Sequence, residues 1–375
     1  MHRPLARAAT AVGAGLLVLA AAAGGSTGAT AAATPAAATP AATPAAATPA
    51  APAAATSAQA AAATAAQMVT ATGAASVGLH NAYIQATFPY LADALDTGAG
   101  MLEIDIWTNF FGTRDFKVSH DPGNSNNCAA ANTYPELRTG ARNQNLATCL
   151  RNIRLWHENK PNHPLVVLKL ELKNGFDGRG GFGAQELDRV IADNLGAANV
   201  FGPAQLKGGH ATLDAAAQAG AWPTRAALTG KFLILVERGT FEAANPFDRY
   251  HTDVEYADRL LNANSAGTLP STMAFPAING ASQSDPRTGD RGGNRAPWLV
   301  AFDGDASAYA GYPGSYLGGK YLVVMTDAHR VAPAIDGVNP PVPDAHARVR
   351  DLAAKGATIV SSDWRNPAIA SYTTG

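Results

Sequence analysis

The chain has 375 residues, with 28 Lys and Arg against 29 Asp and Glu, a formal net charge of -1. That balance excludes a polybasic nucleic-acid binder, and two cysteines are too few for a disulfide-dense mini-domain. The charges are unevenly spread: residues 1–66 hold only Arg3 and Arg7, so 26 basic and 29 acidic side chains fall in the 309 residues that follow. The globular part therefore starts near residue 67 and is long enough for one large α/β domain or two smaller ones.

Arg3 and Arg7 precede an apolar run over 11–23, and small residues follow at once. This is the order of a secretory signal peptide, placed at residues 1–25. The run is too short to span a bilayer, and no cysteine follows it to carry a lipid anchor. Residues 26–66 are almost entirely Ala, Thr and Pro; the recurring prolines remove amide donors and nothing there can build a core, so a disordered linker is expected. In an exported chain the two cysteines pair by default. A Cys128–Cys149 bridge closes a loop of 22 residues, for which the chain-entropy model gives roughly 3 kcal/mol.

Past the linker, strands are expected at 76–80, 101–107, 117–120, 165–173, 232–237, 273–275, 321–326 and 358–362. Helical patterns lie between many of them, among them 87–97, 184–195 and 344–355. Repeated strand-then-helix order implies parallel strands with crossovers. Eight strands over this length predict a single catalytic domain over 67–375 with the (β/α)8 TIM barrel fold. An open doubly wound sheet is the alternative; it usually carries a Gly-rich turn after its first strand, where this chain has His80-Asn81.

Two of these strands carry charges where a core strand should have none. In Met-Leu-Glu-Ile-Asp-Ile-Trp over 101–107, side-chain alternation puts Glu103 and Asp105 on one face and Leu102, Ile104 and Ile106 on the other. Over 165–173, Val166, Leu168, Leu170 and Leu172 form an apolar face, leaving Lys169, Glu171 and Lys173 opposite. Burying these charges inside a barrel is costly unless they are paired, hydrated or metal-bound. Three carboxylates on two strands suggest an oxygen-ligand site for a hard cation, Ca²⁺ before Mg²⁺; an ion-pair network between Glu171 and the lysines fits the same pattern. His80-Asn81 ends the first strand and His120-Asp121 ends the third, both on the rim where barrels build their sites, and imidazole moves protons near neutral pH.

Residues 79–83 (Leu-His-Asn-Ala-Tyr), 100–107 (Gly-Met-Leu-Glu-Ile-Asp-Ile-Trp), 118–121 (Val-Ser-His-Asp) and 168–171 (Leu-Lys-Leu-Glu) stand in that order. The ordered set resembles the phosphatidylinositol-specific phospholipases C, in particular the calcium-dependent bacterial members, over roughly residues 75 to 370. The resemblance implies that His80 and His120 are the catalytic histidines and that Asn81, Glu103, Asp105 and Glu171 hold Ca²⁺. It further implies attack of the inositol 2-hydroxyl on phosphorus, giving diacylglycerol and inositol 1,2-cyclic phosphate, which water can later open. In that scheme His120 is the general acid, and His80 stabilises the phosphorane or shares the base role with Glu103.

Lys169 is a candidate contact for a substrate phosphate, with pairing to Glu171 as the competing reading. Arg238 is a second, against a rim salt bridge with its neighbour Glu237. The eukaryotic relatives place lysines after the fifth strand to grip extra ring phosphates; here the stretch reads Phe-Leu-Ile-Leu-Val-Glu-Arg over 232–238, which favours unphosphorylated phosphatidylinositol. Asp327, His329 and Asp363 follow the last two strands and are expected to be ordinary loop residues, with inositol binding or orientation of a catalytic group as the other option. Trp156, Trp222 and Trp298 are candidates for lipid contact or for partial burial. The expected partner is phosphatidylinositol at a membrane surface, bound transiently by a secreted monomer, with no nucleic acid. Two other functions compete. A glycerophosphodiester phosphodiesterase typically opens with His-Arg-Gly, unlike His80-Asn81-Ala82, and a decayed barrel would bind without turnover.

Overall fold

Strand and helix alternate along the chain, and the sheet closes because the first and last parallel strands both find a neighbour. The computed structural model describes residues 68–108, 115–311 and 319–375; the expected signal peptide and linker lie outside these. Strands β1 (Ser76–Leu79), β2 (Met101–Trp107), β3 (Lys117–Val118), β4 (Val166–Leu172), β5 (Phe232–Arg238), β6 (Phe275–Asn279), β7 (Ala301–Asp305), β8 (Leu322–Thr326) and β9 (Ile359–Ser362) form one sheet. All but β3 are parallel, in the circular order β1, β2, β4 to β9 and back to β1. Closure runs through Gly78 opposite Met101 and Ser76 opposite Ile359. This is an eight-stranded parallel barrel with outer helices, the expected fold class.

Three strand assignments need correction. Only Lys117 and Val118 of the expected 117–120 strand pair, and they run antiparallel to Ile106 and Trp107, so β3 is a flap on the barrel mouth. The eighth barrel strand is β7, which the sequence reading passed over, and β6 lies at Phe275–Asn279 rather than 273–275. The helix expected at 87–97 is shortened to Leu91–Asp96. Pro89 disfavours helical backbone at Phe88, and the first turn is held by the Tyr90 N–H donating to Asp93 Oδ2 at 3.0 Å. The helix expected at 184–195 runs from Ala184 to Ile191 and continues as a π-turn over Ala192–Gly196; the third spans Val342–Ala354.

Alternation places the core as expected. Leu102, Ile104 and Ile106 of β2 and Val166, Leu168, Leu170 and Leu172 of β4 are buried in the hydrophobic core, while the charged positions of both strands face the barrel axis. Truncating one such leucine to alanine costs about 2–5 kcal/mol in comparable cores. The barrel is tight where β1 and β2 meet: a Cβ at Gly100 would lie 2.3 Å from that of Ser76, so only glycine fits.

The loop after β1 is fixed by the segment after β3. Asn127 donates its side-chain amide to the carbonyls of Ala82 and Phe88, both at 3.0 Å, and its backbone N–H to Tyr83 O at 2.9 Å. That segment is itself tied to the helix Leu146–Asn159 by the Cys128–Cys149 disulfide, and Asn152 exchanges two hydrogen bonds with the backbone of Ala129 at 2.7 and 2.9 Å. The bridge predicted from the cysteine pair is therefore present. It holds the scaffold beneath His80 and Asn81.

Candidate active site

At the C-terminal mouth, β2 and β4 lie in register with Asp105 beside Glu171 and Glu103 beside Lys169. Each strand sends its charged face inward, so ligand oxygens of Glu103, Asp105 and Glu171 all fall within 4.8 Å of one another. Asp105 Oδ1 and Glu103 Oε2 are buried without a hydrogen-bond partner. Lys173 contacts this cluster, with Nζ 2.8 Å from Glu171 Oε1 and 3.1 Å from Asp105 Oδ2. Burial, reinforced by the charges of Glu171 and Glu103, pushes the Asp105 carboxyl up to about 7. Burial opposes ionisation of Glu103 as well, but there the charges of Lys169 and His80 prevail and the carboxyl lies below its ordinary value. An all-oxygen cluster with more acids than cations and two orphaned oxygens fits a hard divalent cation.

Asn81 stands beside this cluster. Its backbone is left-handed, φ 53°, a conformation asparagine tolerates. Tyr83, buried next to Asp105, donates its hydroxyl to Asn81 Oδ1 at 3.0 Å. The Asn81 amide nitrogen is 3.1 Å from His80 Nε2, and His80 Nδ1 is 2.8 Å from Asp363 Oδ1 in the loop after β9. Burial alone would lower the His80 pKa; the hydrogen bond to Asp363 and the charges of Glu103 and Asp363 outweigh it and raise it to about 9. Asp363 is correspondingly held below the usual carboxylate range, its bond to His80 contributing most. Asp363 thus holds a predicted catalytic group, the role that had been given second place to that of a loop residue.

A cavity of about 470 Å³ opens above these groups, with His80, Glu103 and Glu171 on one side and Asp303, Asp305 and Asp327 on the other. His120 lines a different groove, of about 380 Å³, with Ile84, Ser119 and Asn124. It is exposed, 3.5 Å from Asp121, and one residue beyond Ser119, whose N–H donates to Asp105 O at 3.3 Å. The structure therefore brings together His80, Asn81, Glu103, Asp105 and Glu171, and sets His120 on the neighbouring edge of the mouth.

The remaining candidates have other partners than expected. Lys169 does not pair with Glu171; its Nζ is 2.8 Å from Asp303 Oδ2, 3.0 Å from Glu237 Oε1 and 3.4 Å from Glu103 Oε1. Arg238 forms no salt bridge with Glu237, because adjacent strand residues face opposite ways. Glu237 points inward to Lys169, whereas Arg238 lies 3.2 Å from His251 Nδ1 and reaches Asn279 O at 3.5 Å. Trp156, Trp222 and Trp298 are buried, which removes them as lipid contacts. Among the described residues the exposed large hydrophobic side chains are Met68, Phe241 and Phe247, the last two in the segment after β5. Among these residues no helix is long and apolar enough to cross a membrane. Asp303 was missed altogether; its signal is the alternation Ala-Phe-Asp-Gly-Asp over 301–305.

A family model described as phosphoinositide phospholipase C, Ca²⁺-dependent, matches residues 134–289. A solved structure of a Ca²⁺-dependent phosphatidylinositol-specific phospholipase C from Streptomyces antibioticus is 45% identical, covering 82% of this chain and 98% of its own, with a TM-score of 0.78. The chain belongs to the calcium-dependent phosphatidylinositol-specific phospholipase C family. It is accordingly an enzyme of the phosphoric diester hydrolase or lyase class. A calcium-dependent phosphoinositol-specific phospholipase C from a Pseudomonas species shares the barrel at 16% identity and a TM-score of 0.60, covering 81% of this chain and 93% of its own. No curated protein sequence matches the chain.

Proposed function

We propose that this enzyme cleaves phosphatidylinositol to diacylglycerol and a cyclic inositol phosphate, and that it does so outside the cell after export. The observation that carries the reading is the buried Glu103, Asp105 and Glu171 cluster beside the His80–Asp363 pair, in a chain 45% identical to a Ca²⁺-dependent phosphatidylinositol-specific phospholipase C. Ca²⁺ held by Asn81, Glu103, Asp105 and Glu171 would supply positive charge to a phosphate oxygen, stabilising the charge that builds up in the transition state.

The other steps belong to side chains. A ring hydroxyl next to the phosphodiester, the 2-hydroxyl in the sequence reading, attacks phosphorus; its oxygen forms the new P–O bond and its proton leaves to a base. The bond to the glycerol oxygen breaks, and His120 gives that oxygen a proton as diacylglycerol departs. In the metal-free protein the hydrogen bond to Asp363 and the charge of Glu103 outweigh burial and raise the His80 pKa, which supports hydrogen-bond donation to a phosphorane oxygen over the role of base. Asp363 fixes the ring through Nδ1.

The cavity wall supports a neutral inositol ring. Its acids outnumber its cations, and Arg330 at its edge is already paired with Asp327 at 3.2 Å. Among the described residues, Phe241 and Phe247, at the mouth end of β5, are exposed apolar groups that could touch a lipid surface. The disulfide is compatible with an exported protein.

The test is incubation of the purified enzyme with phosphatidylinositol and with glycerophosphoinositol, each in calcium and then in chelator. Diacylglycerol release from the lipid in calcium alone is the expected result. Cleavage of glycerophosphoinositol instead would return the enzyme to the glycerophosphodiesterase reading.

A further inference from the structure

We propose that Lys169 is a positioning residue for the metal site, a resident buried cation that holds Glu103, rather than a contact for the substrate phosphate. This rests on the calcium-dependent reading above. The side chain is 3% exposed and runs from β4 into the barrel, where its ammonium meets one carboxylate from each of three other strands: Asp303 of β7, Glu237 of β5 and Glu103 of β2. An ammonium has three N–H donors. Asp303 Oδ2 accepts one of them at 2.8 Å, and Glu237 and Glu103 stand at ion-pair distance, 3.0 and 3.4 Å, so the ammonium's charge is already shared among three resident acids.

The arrangement does two things for Glu103. It sets the ammonium 3.4 Å from Oε1, an ion pair that orients the carboxylate, while Oε2 stays buried without a hydrogen-bond partner and is left to ligate. It also sets the charge: one cation lies among three acids, and Asp303 and Glu237 give the lysine two anchors independent of the metal cluster. Lys173 does not duplicate this, because its contacts are Asp105 and Glu171. Without Lys169, Glu103, Asp303 and Glu237 would face one another in a buried site with no cation between them. At least one would have to take up a proton, and Glu103 would be compromised as a ligand.

The test compares wild type with Lys169→Met and the double variant Lys169→Met/Asp303→Asn, which removes a positive and a negative charge together. Calcium affinity is measured by titration calorimetry, inhibition by inositol 1-phosphate at saturating calcium, and folding by near-UV circular dichroism. The expected result is a tenfold or greater loss of calcium affinity in Lys169→Met, most of it recovered in the double variant, with inositol 1-phosphate inhibition unchanged. Unchanged calcium affinity with weakened inhibition would overturn the proposal and make Lys169 a phosphate ligand. Wild type failing to bind calcium at all would instead defeat the functional reading on which the proposal rests. Should Lys169→Met not fold, the wild-type crystal with calcium and inositol 1-phosphate decides. Lys169 keeping its three carboxylates supports the proposal, and a phosphate oxygen within hydrogen-bond distance of Nζ overturns it.

Discussion

Replacing Asp105 with asparagine tests the metal cluster through stability as well as activity. Asp105 is 1% exposed, and its carboxyl is raised from 3.8 to about 7, first by burial and then by the charges of Glu171 and Glu103. The unfolded chain gives up this proton near pH 4 and the metal-free fold only near pH 7. The folded state therefore binds more protons across that window, and stability falls as pH rises through it. A shift of about 3 units corresponds to about 4 kcal/mol, all of it felt above pH 7 and none below pH 4. Asparagine keeps the shape and cannot ionise. Thermal unfolding of the metal-free proteins between pH 4 and pH 8 should show the wild type losing stability relative to Asp105→Asn as pH rises. Calcium should then narrow most of that gap, because a ligand at a hundred times its Kd adds about 2.7 kcal/mol to the wild type and little to a variant that has lost a ligand. Parallel pH profiles for the two proteins, or equal stabilisation of both by calcium, would refute the reasoning.

Three further outcomes follow from the same site. His120→Ala should reduce cyclic phosphate formation by about 10²- to 10⁴-fold, the range for a lost general acid, while calorimetric calcium binding is unchanged; an active variant would remove His120 from the chemistry. Asp363→Asn takes away the partner that offsets burial of His80, so in the metal-free protein the ring should titrate well below its wild-type value of about 9, and the cation should be lost at lower pH. Nuclear magnetic resonance titration of the imidazole reads this directly, and identical titration curves would contradict it. Phe247→Ser removes the most exposed large hydrophobic side chain among the described residues, 94% exposed, and should weaken cosedimentation with phosphatidylinositol vesicles while leaving cleavage of a monomeric short-chain substrate intact. Equal sedimentation would place the lipid contact elsewhere.

What could be read from the chain alone depended on whether the signal was local. In β2 and β4, period-two alternation with charges on the inner face located Glu103, Asp105 and Glu171 without any partner being known. The same rule applied to residues 237 and 238 would have separated Glu237 from Arg238, since neighbours in a strand face opposite sides. The partners of Lys169 were out of reach for a different reason: Glu237 and Asp303 come from β5 and β7, and only closure of the barrel brings them to it. β7 escaped notice because its five residues, Ala301–Asp305, follow the apolar Leu299 and Val300 and interrupt their own pattern with Gly304. That glycine is required where it stands: a Cβ there would lie 2.0 Å from the carbonyl oxygen of Ala281. β3 reads locally as a strand, and no local feature tells an antiparallel flap from a barrel member. Asp363 lies 283 residues from His80, a distance over which sequence pattern carries no information.

The central claim is that the acids of β2 and β4 hold the calcium that an inositol lipid needs in order to be cut. Phosphorus nuclear magnetic resonance of phosphatidylinositol vesicles with the purified enzyme tests it most directly, because one spectrum identifies both the bond broken and the product. The lipid phosphodiester resonance should give way to that of a cyclic inositol phosphate in calcium, and should persist with chelator or with Glu171→Gln. Conversion that proceeds equally well in chelator, or a product that keeps the glycerol–phosphate bond, would contradict the account.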